Sequence, residues 1–286
     1  MSDTTGSGVT EFLLGKGFFQ QVVLVLVVLT LLFLVFLTIE YVFLTFQRIG
    51  GQALELVPET VTAEDEQITI LQNPLDPKAK TIPVSDNERT GIEFSYSFYL
   101  YVNSSTFTGE DVLFSVFHKG YPVPFPLMGP AVFVKGDSNT LRVVMNTYKN
   151  PYTYLDIENI PIRKWFHCVV LCRKNSLEVY INGNLRKKLS FEGTLPYQNF
   201  QNVILFNQLK VNLFKSQYIT LKEDMRVQGA FRGNLSNLFY FPYALSFTEI
   251  QGLMTKGVSS KTRKQTADIP PYLVDTYWTT SYQQQN

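Results

Sequence analysis

Two hydrophobic patterns divide this chain. From Val22 to Ile39 every side chain is apolar except Thr30 and Thr38, and the run holds no charge, no Gly and no Pro. At about 1.5 Å of rise per residue the run reaches roughly 27 Å as a helix, and adding 18–21 brings it to the ~30 Å of a bilayer's hydrocarbon core. A helix apolar on every side has no polar face to offer water, so the pattern predicts a single N-terminal transmembrane α-helix over 18–46. From residue 91 the period changes to two. Ile92, Phe94, Tyr96, Phe98, Leu100 and Val102 alternate with Glu93, Ser95, Ser97, Tyr99 and Tyr101, the mark of a half-buried strand.

Further strands are expected at 112–118, 131–135, 141–147, 154–157, 165–172, 177–181, 185–191, 203–207 and 231–241. Turn-forming residues separate them at 136–139, at 173–176 and at Asn182-Gly183. Asn-Gly between two apolar strands is a strong hairpin signal, because both residues tolerate positive φ. Many short strands with regular turns predict a mainly β fold, an antiparallel jelly-roll sandwich. One helix interrupts the pattern. Ser246-Phe247-Thr248-Glu249 has the S-x-x-E form of a capping box, Ile250, Leu253 and Met254 follow at helical spacing, and Gly257 can end the helix. The expected organisation is a polar tail (1–17), the membrane helix (18–46), a Pro- and Gly-containing stem (47–90) with one short strand at 67–71, the sandwich (91–257) and an extended tail (258–286). That tail opens with a basic stretch (Lys261, Arg263, Lys264) and carries an aromatic strap at 269–278.

The flanks of the apolar run bear on its role. A cleaved signal peptide wants a basic leader, a shorter apolar core and a small-residue cleavage site. Here the leader holds Asp3, Glu11 and a single Lys16, and Glu40-Tyr41-Val42-Phe43 follows the run. A buried globular helix is the other alternative, but the run shows no polar side. Glu40 sits near the end, where it can reach headgroups. Lys16 with the α-amino group on one side and Arg48 on the other nearly balance, so the positive-inside count sets no orientation.

Composition narrows the rest. The formal net charge of +1 gives no electrostatic case for nucleic acid, and abundant Phe (23) and Tyr (16) against 17% charged residues suit strands. The two cysteines, Cys168 and Cys172, fall on one face of a predicted strand about 13 Å apart, too far for a disulfide. They read as small buried apolar residues, which argues against an extracellular disulfide framework. Asn103-Ser104-Ser105 and Asn234-Leu235-Ser236 fit the glycosylation pattern, which matters only for a lumenal domain.

Three stretches together resemble laminin-G-like domains of the concanavalin A-like lectin/glucanase superfamily. The first is Trp165–Val170 followed by Leu177-Glu178-Val179-Tyr180-Ile181-Asn182-Gly183. The second is Phe231-Arg232-Gly233-Asn234-Leu235, and the third is Ala244-Leu245-Ser246-Phe247-Thr248-Glu249-Ile250. They span roughly 91–257, and the fold they imply is the jelly-roll sandwich reached above from periodicity. The order of membrane helix, stem, laminin-G-like domain and the strap at 270–278 is also similar to proteins of large icosahedral DNA viruses. That resemblance implies a place between an internal membrane and a capsid shell.

Chemistry is sparse. The superfamily's glucanases use an E-x-D-x-x-E strand whose carboxylates act as nucleophile and acid. No such triplet occurs in 91–257, and Asp156 and Glu158 read as exposed charges at a strand edge. His118 and His167 lack metal-ligand spacing and read as packed or edge residues. Asp137 and Asn139 carry oxygens of the kind that bind calcium at lectin rims, but a hairpin turn between Phe133 and Leu141 accounts for them. The apolar, Pro-stiffened loop 121–130 either docks a partner or folds over a sheet. No catalytic, cofactor-binding or metal-ligating residue is assigned, no cofactor is expected, and an enzyme is not expected. The expected function is a structural or protein-interaction component anchored in a membrane, which the viral resemblance makes a minor capsid protein linking a virion's internal membrane to its shell. The alternative is a membrane-tethered lectin-like module binding glycan or a cell-surface ligand. Expected partners are the lipid bilayer through Val22 to Ile39 and other proteins, capsid subunits among them, with glycan in the alternative.

Overall fold

The structure is a computed structural model that describes residues 17–85, 92–215, 221 and 223–263, with helix side chains described as far as Phe43. It divides into two compact units between Gln52 and Ala53. The first contains helix α1, Phe18–Gln52. Within it Phe18–Phe43, 26 residues with mean hydropathy 3.4, is long and apolar enough to cross a membrane. Its two threonines are satisfied by the helix itself: Thr30 Oγ1 donates to Leu26 O (2.8 Å) and Thr38 Oγ1 to Val35 O (2.7 Å). That arrangement leaves no polar hydroxyl seeking a partner in a hydrocarbon environment. The polar tail 1–16 and the C-terminal strap lie outside the described residues.

The second unit is a two-sheet antiparallel sandwich. Its strands are β1 Leu54–Thr62, β2 Ile68–Ile70, β3 Phe94–Val102, β4 Leu113–Lys119, β5 Ala131–Lys135, β6 Leu141–Met145 and β7 Thr153–Ile157. They continue as β8 Trp165–Arg173, β9 Ser176–Ile181, β10 Asn184–Ser190, β11 Val203–Leu205, β12 Lys210–Leu213, β13 Met225–Ala230 and β14 Gly233–Phe241. The first sheet runs β1-β14-β3-β8-β9-β10. The second runs β12-β13-β4-β5-β6-β7, with β11 between β4 and β2. One edge of β4 is shared: β13 pairs in parallel at Leu113 and Ser115, and β11 pairs antiparallel at Phe117 to Lys119.

The alternation that marks the strands also builds the core. Phe94, Tyr96, Phe98, Leu100 and Val102 of β3 face Phe117, Val132, Val134 and Val143 across the sheets, all buried. Tyr96 and Phe117 rings lie 5.7 Å apart and Phe98 and Phe117 5.2 Å apart, so aromatic packing joins the two sheets at their centre. Cys168 and Cys172 are free and buried in this core, as their spacing implied. At the β9–β10 hairpin Asn182 and Gly183 have φ of 49° and 75°, the positive values the Asn-Gly signal requires.

Helix α2, Phe247–Lys256, begins with the expected capping box: Ser246 Oγ accepts from Glu249 N, and Glu249 Oε2 accepts from Ser246 N. It covers the outer face of the first sheet. There Tyr99 Oη donates to Met254 O (2.6 Å) and accepts from Gly257 N (3.2 Å).

Two expectations need correction. The segment expected as a stem holds its expected short strand, β2, but also supplies the unexpected strand β1, and helix α1 runs on to Gln52, so Ala53 alone lies between helix and strand in the sequence. The strand β1 pairs along β14 from Leu54↔Tyr240 to Thr62↔Asn234 and forms an edge of the first sheet. Strands β12 and β13, which the alternation did not mark, complete the other sheet's edge.

Candidate functional site

The residues singled out from sequence scatter over the sandwich instead of converging. Asp137 lies in the β5–β6 turn, where its carboxylate takes Lys135 Nζ (3.2 Å) and Ser138 Oγ (2.8 Å). Burial pushes that carboxyl up, but the Ser138 hydroxyl and Lys135 ammonium outweigh it and hold it below its ordinary value. Its oxygens thus serve the turn. Among the described residues no group of three or more His, Cys, Asp or Glu is arranged to hold a metal ion. Asn103 caps the short 3-10 turn Ser104–Thr106, and Asn234 lies within β14. The hydroxyl of Ser236, third in that second sequon, is fully buried and accepts from Thr60 Oγ1 and Ser259 N.

Both histidines are buried. His118 Nε2 donates to Tyr121 O (2.8 Å), and its Nδ1 has no partner. His167 Nε2 meets Ser97 Oγ (2.8 Å), its ring lies 4.9 Å from that of Tyr99 beneath α2, and its Nδ1 also lacks a partner. Burial holds each imidazole down to about 4, because a second proton would bring a charge with no acceptor beside it.

Of the two acids expected as exposed strand-edge charges, Glu158 is exposed, while Asp156 is half-buried and ion-paired. Arg142 reaches it bidentately, Nε to Oδ1 and Nη2 to Oδ2 at 2.7 Å each, and places Nη1 on Glu223 Oε1 (2.7 Å) and Tyr152 Oη (3.0 Å). Tyr154 Oη donates to Glu223 Oε2 (2.9 Å) and its ring lies 3.9 Å from the guanidinium carbon. All four carboxylate oxygens are therefore engaged. Burial alone would favour a neutral guanidine, but the Asp156 hydrogen bonds hold Arg142 protonated, above its ordinary value. Such a saturated cluster has no free acid or base to offer a substrate.

What does converge is one rim of the sandwich, around the segment 191–202. Asn199 Nδ2 donates to Lys119 O (2.7 Å) and Gly129 O (2.9 Å), and Gly120 N donates to Asn202 O. Tyr148 N donates to Leu195 O, Tyr197 N to Asn146 O, and Gln72 N to Asn202 Oδ1. Loops 71–80, 120–130, 146–152 and 191–202 are thus laced into one surface. The same rim holds the start of β1, since Leu54 aligns with Tyr240 and Tyr240 with Tyr96, while Gln198 Nε2 reaches Tyr240 Oη (2.9 Å).

Buried amides hold the Pro-rich loop 121–130 against this rim and the outer face of the second sheet. Asn146 Nδ2 donates to Pro126 O and Asn207 Nδ2 to Pro122 O, so proline-flanked carbonyls find donors that the prolines themselves lack. Met128 and Phe125 pack with Ala131, Phe133, Val144 and Met225, a second apolar cluster on that face. The loop therefore folds over the sheet, while Tyr121 and Val123 remain about half exposed. Lys119 is buried beneath it with its ammonium on Asn199 O, and burial lowers its pKa to about 8. Neither this lysine nor the amide lacework is visible in the sequence, because the partners lie up to 130 residues apart.

Grooves among the described residues include the following. One of about 420 Å³ lies at this rim, lined by Asn175, Ser190, Phe191, Gly193, Thr194 and Leu195. Another of about 550 Å³ lies at the far end of β1, between Thr60, Thr62, Glu66 and Ile68 and the segment at Thr262 and Arg263.

Residues 78–251, more than half of the chain, match a laminin-G family model described as "Concanavalin A-like lectin/glucanases superfamily". No curated protein matches the chain. Among solved structures the chain is similar to a botulinum neurotoxin serotype D binding domain, at 12% identity and a TM-score of 0.47 over 71% of this chain and 41% of that one. It is also similar to the serotype D ligand-binding domain in complex with N-acetylneuraminic acid, at 11% identity and a TM-score of 0.47 over 72% of this chain. The chain covers no more than half the length of either neighbour.

Proposed function

This chain belongs to the concanavalin A-like lectin/glucanases superfamily, and on that premise we propose that it is a membrane-anchored interaction module and not an enzyme. The observation that carries the reading is a contrast within the sandwich. Its charged cluster around Arg142 is saturated internally, while the rim built on 191–202 leaves Tyr148 and Phe200 more than two-thirds exposed. Exposed aromatic side chains on a rigid rim serve contact, and a saturated ion cluster serves the fold. The apolar helix Phe18–Phe43 supplies the anchor.

The partner we infer is protein, in the setting of a minor capsid component that fastens an internal membrane to a shell. Free, buried Cys168 and Cys172 support a fold that does not depend on oxidation. Cross-linking and mass spectrometry of the full chain in its native membrane test this. Cross-links from the sandwich to shell subunits in purified particles are expected, and absence of the chain from particles refutes the capsid setting. The groove at Asn175, Ser190 and Thr194 favours a second reading, a lectin-like module for glycan, because amide and hydroxyl groups line it beside Phe191. Specific binding of the full chain on a glycan array supports that reading, and a blank array removes it.

A further inference from the structure

Polar contacts hold helix α2 across the outer face of the first sheet. Gln251 Nε2 donates to Gly183 O (3.2 Å) in the β9–β10 turn, where the lack of a Cβ on Gly183 lets the amide approach. Further along the helix, Met254 O takes the Tyr99 hydroxyl of β3 (2.6 Å), and Lys256 Nζ lies 4.2 Å from the centre of the Phe239 ring of β14. In the first sheet β8 lies between β9 and β3, so α2 crosses β8 between its contacts at Gln251 and Met254. The β8 residue paired with Tyr99 is His167, which also shares hydrogen bonds with Asn182 at that same turn. Helix α2 therefore lies over His167, which is 1% exposed.

The covered imidazole has little around it to hold a charge. Nε2 meets Ser97 Oγ (2.8 Å), and Nδ1 has no partner. Tyr99 of β3 spends its hydroxyl on Met254 O and Gly257 N. On β9, Tyr180 Oη donates to Glu178 Oε2, and Glu178 is engaged by Lys188 and Arg173. On α2, Glu249 Oε2 accepts from Ser246 N in the capping box, and Lys256 Nζ lies 4.0 Å from Glu55 Oε1. Tyr243, on the segment before α2, gives its carbonyl to Ser95 Oγ. Strands β3, β8 and β14 carry no acid, so the acids on the elements packed here are Glu178 and Glu249, both already engaged. A second proton on His167 would leave an N–H without an acceptor while the helix stays down, and a hydrated imidazolium once it lifts.

We propose that His167 makes α2 an acid-released latch, in which protonation of the imidazole favours the state with the helix lifted off the first sheet. Burial holds the imidazole down to about 4 in the closed state, whereas solvent returns it toward its ordinary 6.5 in the open one. Between those values the open state binds the proton and the closed one does not, so opening becomes easier as pH falls through that window. Lifting bares Ile250 and Leu253 on the helix and Tyr99 on β3, all buried while it is down. The sandwich thus carries a second contact surface, apolar and aromatic, that acid uncovers. The latch belongs to the sandwich and is independent of the partner proposed above.

The test is hydrogen exchange of the full chain in detergent, read by mass spectrometry on peptides covering α2 and, for comparison, β3 and β8. Dividing each rate by that of a free amide at the same pH leaves only the opening equilibrium. Between pH 7.5 and pH 5 the opening of α2 is expected to rise about 25-fold, with α2 exchanging faster than β3 and β8 at both values. His167→Gln, which keeps an amide nitrogen toward Ser97, should abolish the rise, and His118→Gln on the other sheet should leave it intact. Tyr99→Phe removes the clamp but keeps the histidine, so α2 should open more at both pH values with the same ratio between them. Wild-type α2 that opens equally at the two pH values overturns the latch, whether or not any variant folds. So does α2 that exchanges in step with β3 and β8, because global unfolding then accounts for it. A rise that survives in His167→Gln, or is lost in Tyr99→Phe, overturns the assignment to His167.

Discussion

Lowering the pH from 7.5 to 5 is expected to destabilise the sandwich through two residues, His118 and His167. Each is buried with Nε2 hydrogen-bonded and Nδ1 unpartnered, and each imidazole is held down to about 4 against an ordinary value of 6.5. Between those values the unfolded chain binds the proton and the folded one does not, so stability falls as pH drops through that window. At pH 5 the difference amounts to about 2 kcal/mol per histidine, rising to about 3 kcal/mol each below pH 4. The pair together removes about 4 kcal/mol at pH 5, a large share of the roughly 5–15 kcal/mol typical of a domain. Carboxylates such as Asp137, whose folded value is lowered, lose their contribution only as pH falls below about 4, outside the window. The assay is urea unfolding of the full chain in detergent at several pH values, followed by fluorescence of Trp165 in β8. Gln sets an amide nitrogen near the position of histidine Nε2, so His118→Gln and His167→Gln should each remove about half of the pH slope. The double variant should be nearly flat. A double variant with the wild-type slope, or a wild type with none, refutes the reasoning.

Three further outcomes follow from the packing. Arg142→Ala strands Asp156 and Glu223 on one another and should cost about 2–4 kcal/mol in chemical denaturation, less than a fully buried pair because Glu223 is part exposed. Lys119→Met should remove a stability term that wild type loses as pH falls from about 10.5 to about 8, because in that window the unfolded chain binds the lysine's proton and the folded one does not; a wild type flat across that range contradicts it. Ser246→Ala should lower stability by about 1 kcal/mol through loss of the capping box, and hydrogen exchange should rise first in α2.

The legible parts of the fold were those whose local pattern is also their tertiary environment. In β3 every inward position is apolar, and in the hairpin at Asn182-Gly183 and the cap at Ser246 the determinant lies within four residues. Strand β1 escaped because Pro58 and two glutamates break its alternation; the structure accommodates Pro58 at a register shift between Val57 and Thr60, which an edge strand tolerates. Strand β12 is faint because it is an edge strand and Lys210-Val211-Asn212-Leu213 offers just two apolar positions, and β13 because its buried row is Met225, Val227 and Gly229, with only two apolar side chains. The rim was less legible still. Its loop 121–130 was noticed for its prolines, but what holds it is Asn146, Asn199 and Asn207, whose roles depend on strand register. The pairing of Asp156 with Arg142 likewise follows only from the β6–β7 register, which sets the two opposite each other.

The pairing of β1 with β14 has a consequence for synthesis. Leu54 leaves the ribosome just behind the apolar helix, but its partner Tyr240 is made 186 residues later. At translation rates of about 5–20 residues per second, β1 waits roughly 10–40 s without the strand that will cover its edge. The first sheet is therefore completed only when one of the last strands made reaches one of the first. Pro58 and the two glutamates of β1, Glu55 and Glu59, are also what an unpaired edge needs to avoid sticking to neighbouring chains while it waits.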